Sequence, residues 1–515
     1  MPKLVVTFLN AGLALLLVAW SPWVTADKSR TPGAFQENEG RLAPLSQPFD
    51  LGGRLLPQGR LPQVFDHLLH APLGDEVRIL PKPLILQDDE LETLRRGMAQ
   101  RGLALRRLFE DLIQGNPRLF TGSPTRLTKQ TVFQILSDSG IHIDMLAAAY
   151  KNHRKIHFVY GPDVMRNREG QWVVVEDNVG FIGGLGDVFA IHRAFTKTYG
   201  LRGDNLEGRT YADFVRPFLE IESAKRNLFT VEVSAREDLE TVRQLKSIQS
   251  LAGVSAVDVF ESGSLDISKA RRLLRSPVVV SLNRADRYLF EHNRPNPSTL
   301  EILRNSTTRF MNGVGVTYLG NKMLLPHMED LVRFYLHEEP ILKTISSQHV
   351  TPAMLEQIVA HDLPAVIKRS NSAQGAHVHI FPKMTRREQR KFLDETLTPA
   401  VLGQRQIRGN WIVQTYVQPS QLQTVLGVMD VNLRLFGYPM NESEFFVAPM
   451  TWGRAAPTNG DGVNNQSRGA YEIAVYSESE MRALLGENIP ENALPKGQTY
   501  SAKSIKSFVS MCFEL

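Results

Sequence analysis

The stretch that most constrains the fold is QWVVVEDNVGFIGGLGD, at residues 171–187, where a short apolar run ends in two carboxylates and an amide. An apolar run of this length bounded by turn residues predicts a strand, and the preceding KIHFVYGPDVMR predicts its hairpin partner across the turn at 167–170. Side chains alternate along a strand, so Glu176 and Asn178 project from one face and Asp177 from the other. The hairpin therefore ends in a polar pair on one face.

A carboxylate and an amide oxygen at this spacing suit a hard cation. Magnesium prefers oxygen ligands and usually takes only one or two of them from protein, the remainder coming from phosphate and water. The glycines at residues 180–186 permit a close approach of the backbone. A strand end capped by polar side chains is the simpler explanation of Glu176 and Asn178 when these residues are taken alone.

Composition narrows the class of protein. The chain has 515 residues, of which 42% are hydrophobic and 22% charged, as in an ordinary globular enzyme. The net charge of +5 is small for this length, and the basic stretches at 101–107 and 386–391 lie close to acids, so we expect no nucleic-acid partner. The single cysteine, Cys512, excludes an intrachain disulfide and a multi-thiolate zinc site.

The N-terminus has the pattern of an export signal. Lys3 precedes a largely apolar run over residues 4–20, and small residues lead to a cleavage point after Ala26. We therefore predict a signal peptide at 1–26 and an exported protein, either periplasmic or secreted. An uncleaved membrane anchor is the alternative, because the apolar run is long enough to compete with a signal. No other run of about 18 apolar residues occurs, so no further membrane contact is expected.

Shifts in composition and periodicity predict a succession of segments. Apolar residues at helical spacing predict helices at 87–114 and 128–137. From residue 227, the strand signals NLFTVEV, VSAVDVF and SPVVVSLNRAD alternate with helical ones, which predicts parallel strands with crossover helices. Later strands are separated by turns, which predicts an antiparallel lid. The predicted segments are an irregular extension at 27–74, helices with the hairpin at 75–205, a small α/β domain at 206–312, a core with its lid at 313–475 and a C-terminal tail at 476–515.

Two lysines stand where phosphate could bind. Lys368 ends the apolar strand of AVIKRSNSAQGAHVHI, before a loop of small polar residues that contains Gly375. A lysine at a strand end can hold phosphate oxygens beside backbone N–H groups, although an exposed hairpin explains the same pattern. Lys322 opens a helix in GNKMLLPHM, where the free N–H groups of a first turn favour phosphate. The loop lacks the ending of a Walker A sequence.

Polar residues also recur on the later strands. In MDVNLRLF, Asp430, Asn432 and Arg434 share one strand face. An arginine among apolar neighbours usually binds a carboxylate or a phosphate, although a structural ion pair would satisfy Arg434 equally. Further along, Arg454 precedes Asn464 in RAAPTNGDGVNNQSRGA. The order of these elements is more informative than any one of them.

That order resembles the circularly permuted ATP-grasp family, over roughly residues 80–475. Two lysines, a small-residue loop, the strand VQTYV, an arginine-bearing strand and an Arg…Asn…Gly series follow one another as in ATP-grasp ligases. In ordinary members a closing strand that ends Glu-x-Asn holds magnesium, and here that strand stands first, as Glu176-Asp177-Asn178. The resemblance implies a mixed α/β (α+β) ATP-grasp architecture, circularly permuted, with a small parallel α/β domain and an antiparallel lid.

The resemblance also implies a function and a set of roles. It implies an ATP- and Mg²⁺-dependent carboxylate–amine ligase that works through an acyl-phosphate on an amino acid, a peptide or another small molecule. It implies that Glu176 and Asn178 bind the metal with Asn464 as a further contact, and that Arg434 and Arg454 are catalytic. The residues that it implies for ATP binding are Lys322, Lys368, Ser370, Asn371, Ser372, Gly375, Gln414, Thr415, Tyr416 and Val417.

Three departures from the family pattern support a second hypothesis. The loop at 370–375 has fewer glycines than usual, Asn432-x-Arg434 replaces the common Asp-x-Arg, and Ser467-Arg468-Gly469-Ala470 replaces a run of glycines. With the export signal, these departures fit an exported, non-catalytic nucleotide- or ligand-binding protein on the same frame. Neither G-x-S-x-G nor H-E-x-x-H occurs, so the sequence does not support a serine hydrolase or a zinc protease.

Overall fold

Every residue that the structure describes falls within one unit of the chain, Leu42–Leu515. The structure is a computed structural model, and the residues described are 78–114, 127–141, 143–152, 156–180, 182–201, 211–222, 228–233, 256–261, 274, 278–281, 297–372, 375–401, 404–424, 426–465, 468–487 and 498–505. The predicted signal peptide and extension lie outside them, as does Cys512. Within these residues, no helix combines the length and the apolar character needed to cross a membrane.

Several helices begin at a serine or threonine whose side chain accepts a backbone N–H of the first turn. Thr128 and Thr351 each accept one such hydrogen bond, and Thr385 with Glu388 and Ser477 with Glu480 form reciprocal capping boxes. These caps satisfy donors that a helix start leaves free. The α-helices are α1 (Asp88–Ile113), α2 (Lys129–Asp138), α3 (Ile143–Ala149), α4 (Leu185–Tyr199), α5 (Tyr211–Glu222), α6 (Pro297–Asn305), α7 (Met328–Leu336), α8 (Pro352–His361), α9 (Arg386–Thr396) and α10 (Glu478–Leu484).

The strands form three sheets in the described part of the chain. They are β1 (Leu84–Leu86), β2 (Tyr160–Arg166), β3 (Trp172–Val179), β4 (Leu228–Val233), β5 (Ala256–Glu261), β6 (Val278–Ser281), β7 (Arg309–Phe310), β8 (Lys343–Thr344), β9 (Ser347–His349), β10 (Ala365–Arg369), β11 (Val378–Ile380), β12 (Trp411–Thr415), β13 (Gln421–Thr424), β14 (Gly427–Arg434), β15 (Gly437–Pro439), β16 (Glu444–Val447), β17 (Thr451–Pro457), β18 (Tyr471–Ser477) and β19 (Gln498–Ser501).

The main sheet places the predicted hairpin in its interior. Strand β2 pairs with β3 on one edge and with β14 and β15 on the other, and β17 and β18 continue the sheet beyond β14. Strand β1 lies parallel to β18. At the other end of the sheet, β19 pairs with β16, so part of the predicted tail contributes a strand. Segments from the beginning, middle and end of the described chain therefore build one sheet.

The two smaller sheets have the strand directions expected from the sequence. Strands β11, β10, β12 and β9 form an antiparallel sheet in that order, which is the predicted lid. Strands β5, β4, β6 and β7 run parallel, as predicted for the small α/β domain. Among the helical signals that alternate with these strands in the sequence, the one between β4 and β5, at residues 236–251, lies outside the described residues. Apolar side chains of the lid, such as Leu355, Ile367 and Phe381, pack into a core of their own.

The back face of β3 is fixed by a buried charge network. The guanidinium of Arg101, on α1, donates to both Asp177 oxygens, at 3.2 and 2.6 Å, and to the Thr344 hydroxyl at 3.0 Å. The Tyr160 hydroxyl also donates to Asp177, at 2.5 Å. Burial disfavours the charge on Arg101, but the Asp177 carboxylate outweighs it and raises the Arg101 pKa above its usual value. The network anchors the middle residue of Glu-Asp-Asn to the helix behind the sheet.

Replacing Arg101 with Met should destabilise the protein by about 3–5 kcal/mol, because the change leaves Asp177 as a buried charge without its cation. The measurement is the free energy of unfolding in urea. The double variant Arg101→Met with Asp177→Asn should recover part of the loss. As a control on the same helix, Arg107→Met removes a cation whose side chain is 33% exposed and should cost at most about 1 kcal/mol. Equal costs at the two positions would contradict the anchoring role of Arg101.

Candidate functional site

Four residues on neighbouring strands of the main sheet lie in a row on one face. Two of them, Arg434 and Glu176, are predicted site residues. Trp452 lies opposite Arg434, Arg434 opposite Asp163, and Asp163 opposite Glu176, on the adjacent strands β17, β14, β2 and β3. Directly opposed residues on neighbouring strands point to the same face. The row therefore brings a predicted catalytic arginine and a predicted metal ligand together on either side of Asp163.

Asp163, for which the sequence alone predicts no role, binds both predicted catalytic arginines. Arg434 donates to its two oxygens at 2.7 Å each, and Arg454 donates to one of them at 2.7 Å. Burial would raise the Asp163 pKa, but the two guanidinium groups outweigh it and hold that pKa well below its usual range. The Arg434 and Arg454 guanidiniums also lie 5.2 and 4.6 Å from the centre of the Trp452 ring. The Asp163 carboxylate thus holds both guanidinium groups beside the Trp452 ring.

Lys322 reaches the same region from the other side of the cleft. Its Nζ lies 3.1 Å from Glu176 Oε1 and also donates to the Ser372 carbonyl. The Lys322 side chain is 3% exposed and that of Glu176 is 22% exposed, so the pair lies at the edge of the solvent. Asn321 caps the 3₁₀ helix Lys322–His327 through its side-chain oxygen. The lysine that opens this helix therefore points at the predicted metal ligand.

Lys368, at the end of β10, converges on the same strand. Its Nζ donates to the Val175 carbonyl at 3.0 Å. Burial lowers the Lys368 pKa to about 8; the Glu176 carboxylate opposes that change and the Lys322 ammonium adds to it. The Gln414 side chain donates to the same Val175 carbonyl at 3.3 Å. The side chains of Lys322, Lys368 and Gln414 thus meet at the end of β3.

The two amides assigned to the metal lie in different places. Asn178 donates from Nδ2 to the Gly161 carbonyl at 3.1 Å, which orients the amide and leaves its oxygen to accept. Asn464 donates to the carbonyls of Asp430 and Arg454, at 3.0 Å each, which places it beside β14 and β17, the second and third strands from β3. Its Oδ1 is buried, and no described residue forms a hydrogen bond with it. Asn178 thus shares a strand with Glu176, and Asn464 belongs to the arginine cluster.

The residues of the end of β3 fit magnesium held jointly with phosphate. In the described part of the chain, no group of three or more His, Cys, Asp and Glu side chains could hold a metal ion by itself. Glu176 and Asn178 supply one carboxylate and one amide oxygen on one strand face. One or two protein oxygens are the usual number where substrate phosphates complete the shell of Mg²⁺.

The remaining residues assigned to ATP make contacts within the protein. Ser370 and Asn371 donate from their side chains to Asp138, at the end of α2. The backbone N–H groups of Thr415 and Tyr416 donate to Ser346 and Pro364, at 3.0 and 3.2 Å. Gly375 has a φ of +71°, and a Cβ there would lie 2.7 Å from Val463. Several polar groups of the assigned loop and of the chain at the end of β12 are thus already bound within the protein.

A family model described as circularly permuted ATP-grasp type 2 matches residues 83–221 and 291–456. The chain belongs to this family. The match covers more than half of the chain and includes every assigned site residue except Asn464. The unmatched stretch between the two segments contains β4, β5 and β6 of the small parallel sheet. Membership confirms the predicted fold class and makes this ATP-grasp chain an enzyme of the ligase type.

Two similar proteins accompany the family match. An uncharacterised protein of the cyanobacterium Synechocystis is 22% identical over 416 residues, which span 75% of this chain and 81% of that protein. The crystal structure of a putative gamma-glutamylcysteine synthetase from Methylobacillus flagellatus is 11% identical and covers 76% of this chain and 98% of its own, with a TM-score of 0.35. At that TM-score the structural likeness adds nothing to the family assignment.

Glu472 lies beside Arg454, and the sequence predicts no role for it. It lies opposite Arg454 in the sheet, is 1% exposed, and accepts a hydrogen bond from the Trp452 indole through Oε2. Its Oε1 is buried and has no hydrogen-bond partner among the residues that the structure describes. Burial and then Asp187 raise the pKa of Glu472 to about 8, against the opposing effect of Arg454. The carboxyl group is therefore mostly protonated at neutral pH.

The Glu472→Gln variant should gain stability relative to the wild type as pH rises. A carboxyl whose pKa is raised from 4.5 to about 8 stabilises the fold fully below pH 4.5, and that contribution is lost as pH rises towards 8. Between pH 5.5 and 8 the difference in unfolding free energy should therefore shift towards the variant by roughly 2–3 kcal/mol. Urea titrations at the two pH values measure it.

The matched control is Glu395→Gln, which removes one carboxylate from a side chain that is 64% exposed. It accounts for the general effect of losing a negative charge. A difference between Glu472→Gln and the wild type that stays constant over this pH range would contradict a buried, protonated Glu472.

Proposed function

We propose that this chain is an ATP- and Mg²⁺-dependent carboxylate–amine ligase that acts on an amino acid or a peptide. The observation that carries the proposal is the meeting of both lysines with the end of β3. Lys322 lies 3.1 Å from Glu176, and Lys368 donates to Val175, which lies 193 residues earlier in the chain. Two cations beside a carboxylate and an amide are the groups that a metal-bound triphosphate needs.

The roles follow from position in the cleft. Lys322 and Lys368 would bind the α- and β-phosphates, and Glu176 with Asn178 would hold Mg²⁺. When bound, the metal ion supplies positive charge that offsets the charge of the phosphates. The segment at 414–417 would border the adenine, and the loop at 370–375 the γ-phosphate. The protein's task is to hold these groups in line, since phosphoryl transfer depends on positioning and charge.

The proposed reaction has two steps. A substrate carboxylate oxygen attacks the γ-phosphorus of ATP, the bond to the β–γ bridging oxygen breaks, and ADP leaves. The nitrogen of an amine then attacks the acyl carbon, phosphate leaves, and the nitrogen loses a proton as the amide forms. Arg434 and Arg454, which both bind Asp163, would supply the positive charge that favours the anionic acyl-phosphate.

Replacing Glu176 with Gln should lower Mg²⁺-dependent ATP turnover on the order of a hundredfold or more, since it removes the charge that would hold the metal. The glutamine keeps the volume and an oxygen for Lys322, so the fold should survive. Phosphate release from ATP, measured across pools of amino acids and peptides, gives the turnover, and thermal unfolding checks the fold.

Glu169→Gln is the matched control, because Glu169 is exposed in the turn of the same hairpin. Its turnover should equal that of the wild type. Full turnover in Glu176→Gln would refute the metal assignment. A wild-type protein that shows neither turnover nor a Mg²⁺-dependent thermal shift with ATP would favour the second hypothesis, an exported binding protein without catalysis.

Export is the second part of the proposal. Lys3, the apolar run over residues 4–20 and the small residues up to Ala26 support cleavage after Ala26. Expression of the full chain in a bacterium with a periplasm should yield a mature protein that begins at Asp27. Mass spectrometry of the periplasmic and membrane fractions measures this. A full-length chain found only in the membrane fraction would support the uncleaved anchor instead.

A further inference from the structure

Asp138, the last residue of α2, collects hydrogen bonds from both sides of the cleft. Its Oδ2 accepts from the Ser370 hydroxyl at 2.7 Å and from the Asn321 side chain at 2.8 Å. Its Oδ1 accepts from the Asn410 side chain at 2.8 Å, and its backbone carbonyl accepts from Asn371 at 2.8 Å. One residue outside the assigned site therefore binds four side chains from three other segments.

Two of these segments adjoin the lysines that are assigned to ATP. Asn321 precedes Lys322 and caps its helix, while Ser370 follows the strand that carries Lys368. The backbone joins the same parts, because Lys322 N–H donates to the Ser370 carbonyl at 3.2 Å and Ser370 N–H to the Asn410 carbonyl at 2.9 Å. The carboxylate of Asp138 thus stands behind the junction between the two lysine-bearing segments.

The contacts also account for the direction of two loop side chains. Ser370 is 1% exposed, and its hydroxyl donates to Asp138. The Asn371 amide donates to the same residue. A hydroxyl has a single proton to donate, so the Ser370 proton is committed to Asp138 and is unavailable to a phosphate oxygen.

We propose that Asp138 is a positioning residue that holds the start of the loop at 370–375 against the Lys322 helix. Ser370 acts on nucleotide binding through Asp138 and not by touching the nucleotide. The inference rests on the proposed function for its nucleotide, while the hydrogen bonds on which it depends exist without one. A carboxylate that accepts several hydrogen bonds is a strong anchor, because each bond to a charged acceptor is stronger than a neutral one.

A double-mutant cycle with Asp138→Asn and Ser370→Ala tests the nucleotide part. The probe is the non-hydrolysable analogue AMP-PNP with Mg²⁺, and calorimetry measures its dissociation constant for the mature full chain. Each single variant should weaken binding on the order of tenfold, the scale of one hydrogen bond to a charged group. The double variant should bind no more weakly than Asp138→Asn alone, because Ser370 then has no carboxylate to act through. Additive losses would show that Ser370 contacts the nucleotide itself, and would overturn the proposal.

Hydrogen exchange on the ligand-free protein tests the positioning part without any nucleotide. In Asp138→Asn the amides of Lys322 and Ser370 should exchange faster than in the wild type, while amides of the main sheet stay protected. Unchanged exchange at both positions would overturn the proposal even if the enzyme is active. Conversely, faster exchange in a chain that binds no AMP-PNP would leave the Asp138 anchor standing and reject the proposed function.

Asp394→Asn provides the matched control. Asp394 lies on α9 of the lid, its side chain is 74% exposed, and the Arg405 guanidinium lies 3.6 Å from its carboxylate. The change removes the same charge from a surface position, so binding of AMP-PNP and exchange at Lys322 and Ser370 should match the wild type. If Asp394→Asn weakens binding as much as Asp138→Asn, the effect is one of net charge and the positioning role is wrong.

Discussion

The site depends on the double pairing of strand β2. On one edge β2 sets Asp163 opposite Glu176, and on the other it sets Asp163 opposite Arg434. Because side chains alternate, a slip of one residue between β2 and β14 would turn Asp163 away from Arg434. The same slip between β2 and β3 would turn Glu176 away from Asp163. Register is therefore the constraint on which the contacts of Asp163 with two arginines, the placement of the proposed metal ligands and the approach of the lysines all depend.

The back of β3 explains how that register is kept. Asp177 lies between the two proposed metal ligands and is tied to Arg101 and Tyr160 on the opposite face. A buried carboxylate is stable only when its partners are present. If β3 shifted by one residue, the Asp177 carboxylate would lose these partners, and the fold would be destabilised. The three consecutive polar residues thus have two roles. Glu176 and Asn178 face the proposed site, and Asp177 anchors the strand from behind.

Much of this arrangement could be predicted from local patterns, and the rest could not. The hairpin, the antiparallel lid and the two lysines follow from periodicity, turn residues and the family order of elements. The role of Asp163 requires the pairing of strands 271 positions apart in sequence, and that of Asp138 requires contact with Ser370 across 232 positions. Local patterns carry no information on such pairings. For the same reason the sequence places Ser370 and Asn371 in a loop near the lysines, but it does not predict that their side chains point towards Asp138.

The early position of the hairpin also bears on how the chain folds. Strands β2 and β3 precede in sequence the strands that flank them. Arg434, the partner of Asp163, is synthesised 271 residues after it. Bringing such distant residues together costs chain entropy before the contacts between them form, and this cost slows folding. Until β14 and β17 arrive, Asp163 of the hairpin has neither of its two arginines. The rewired order of the chain therefore makes the cleft one of the last parts to assemble, so that a half-folded molecule lacks the paired charges of the native one.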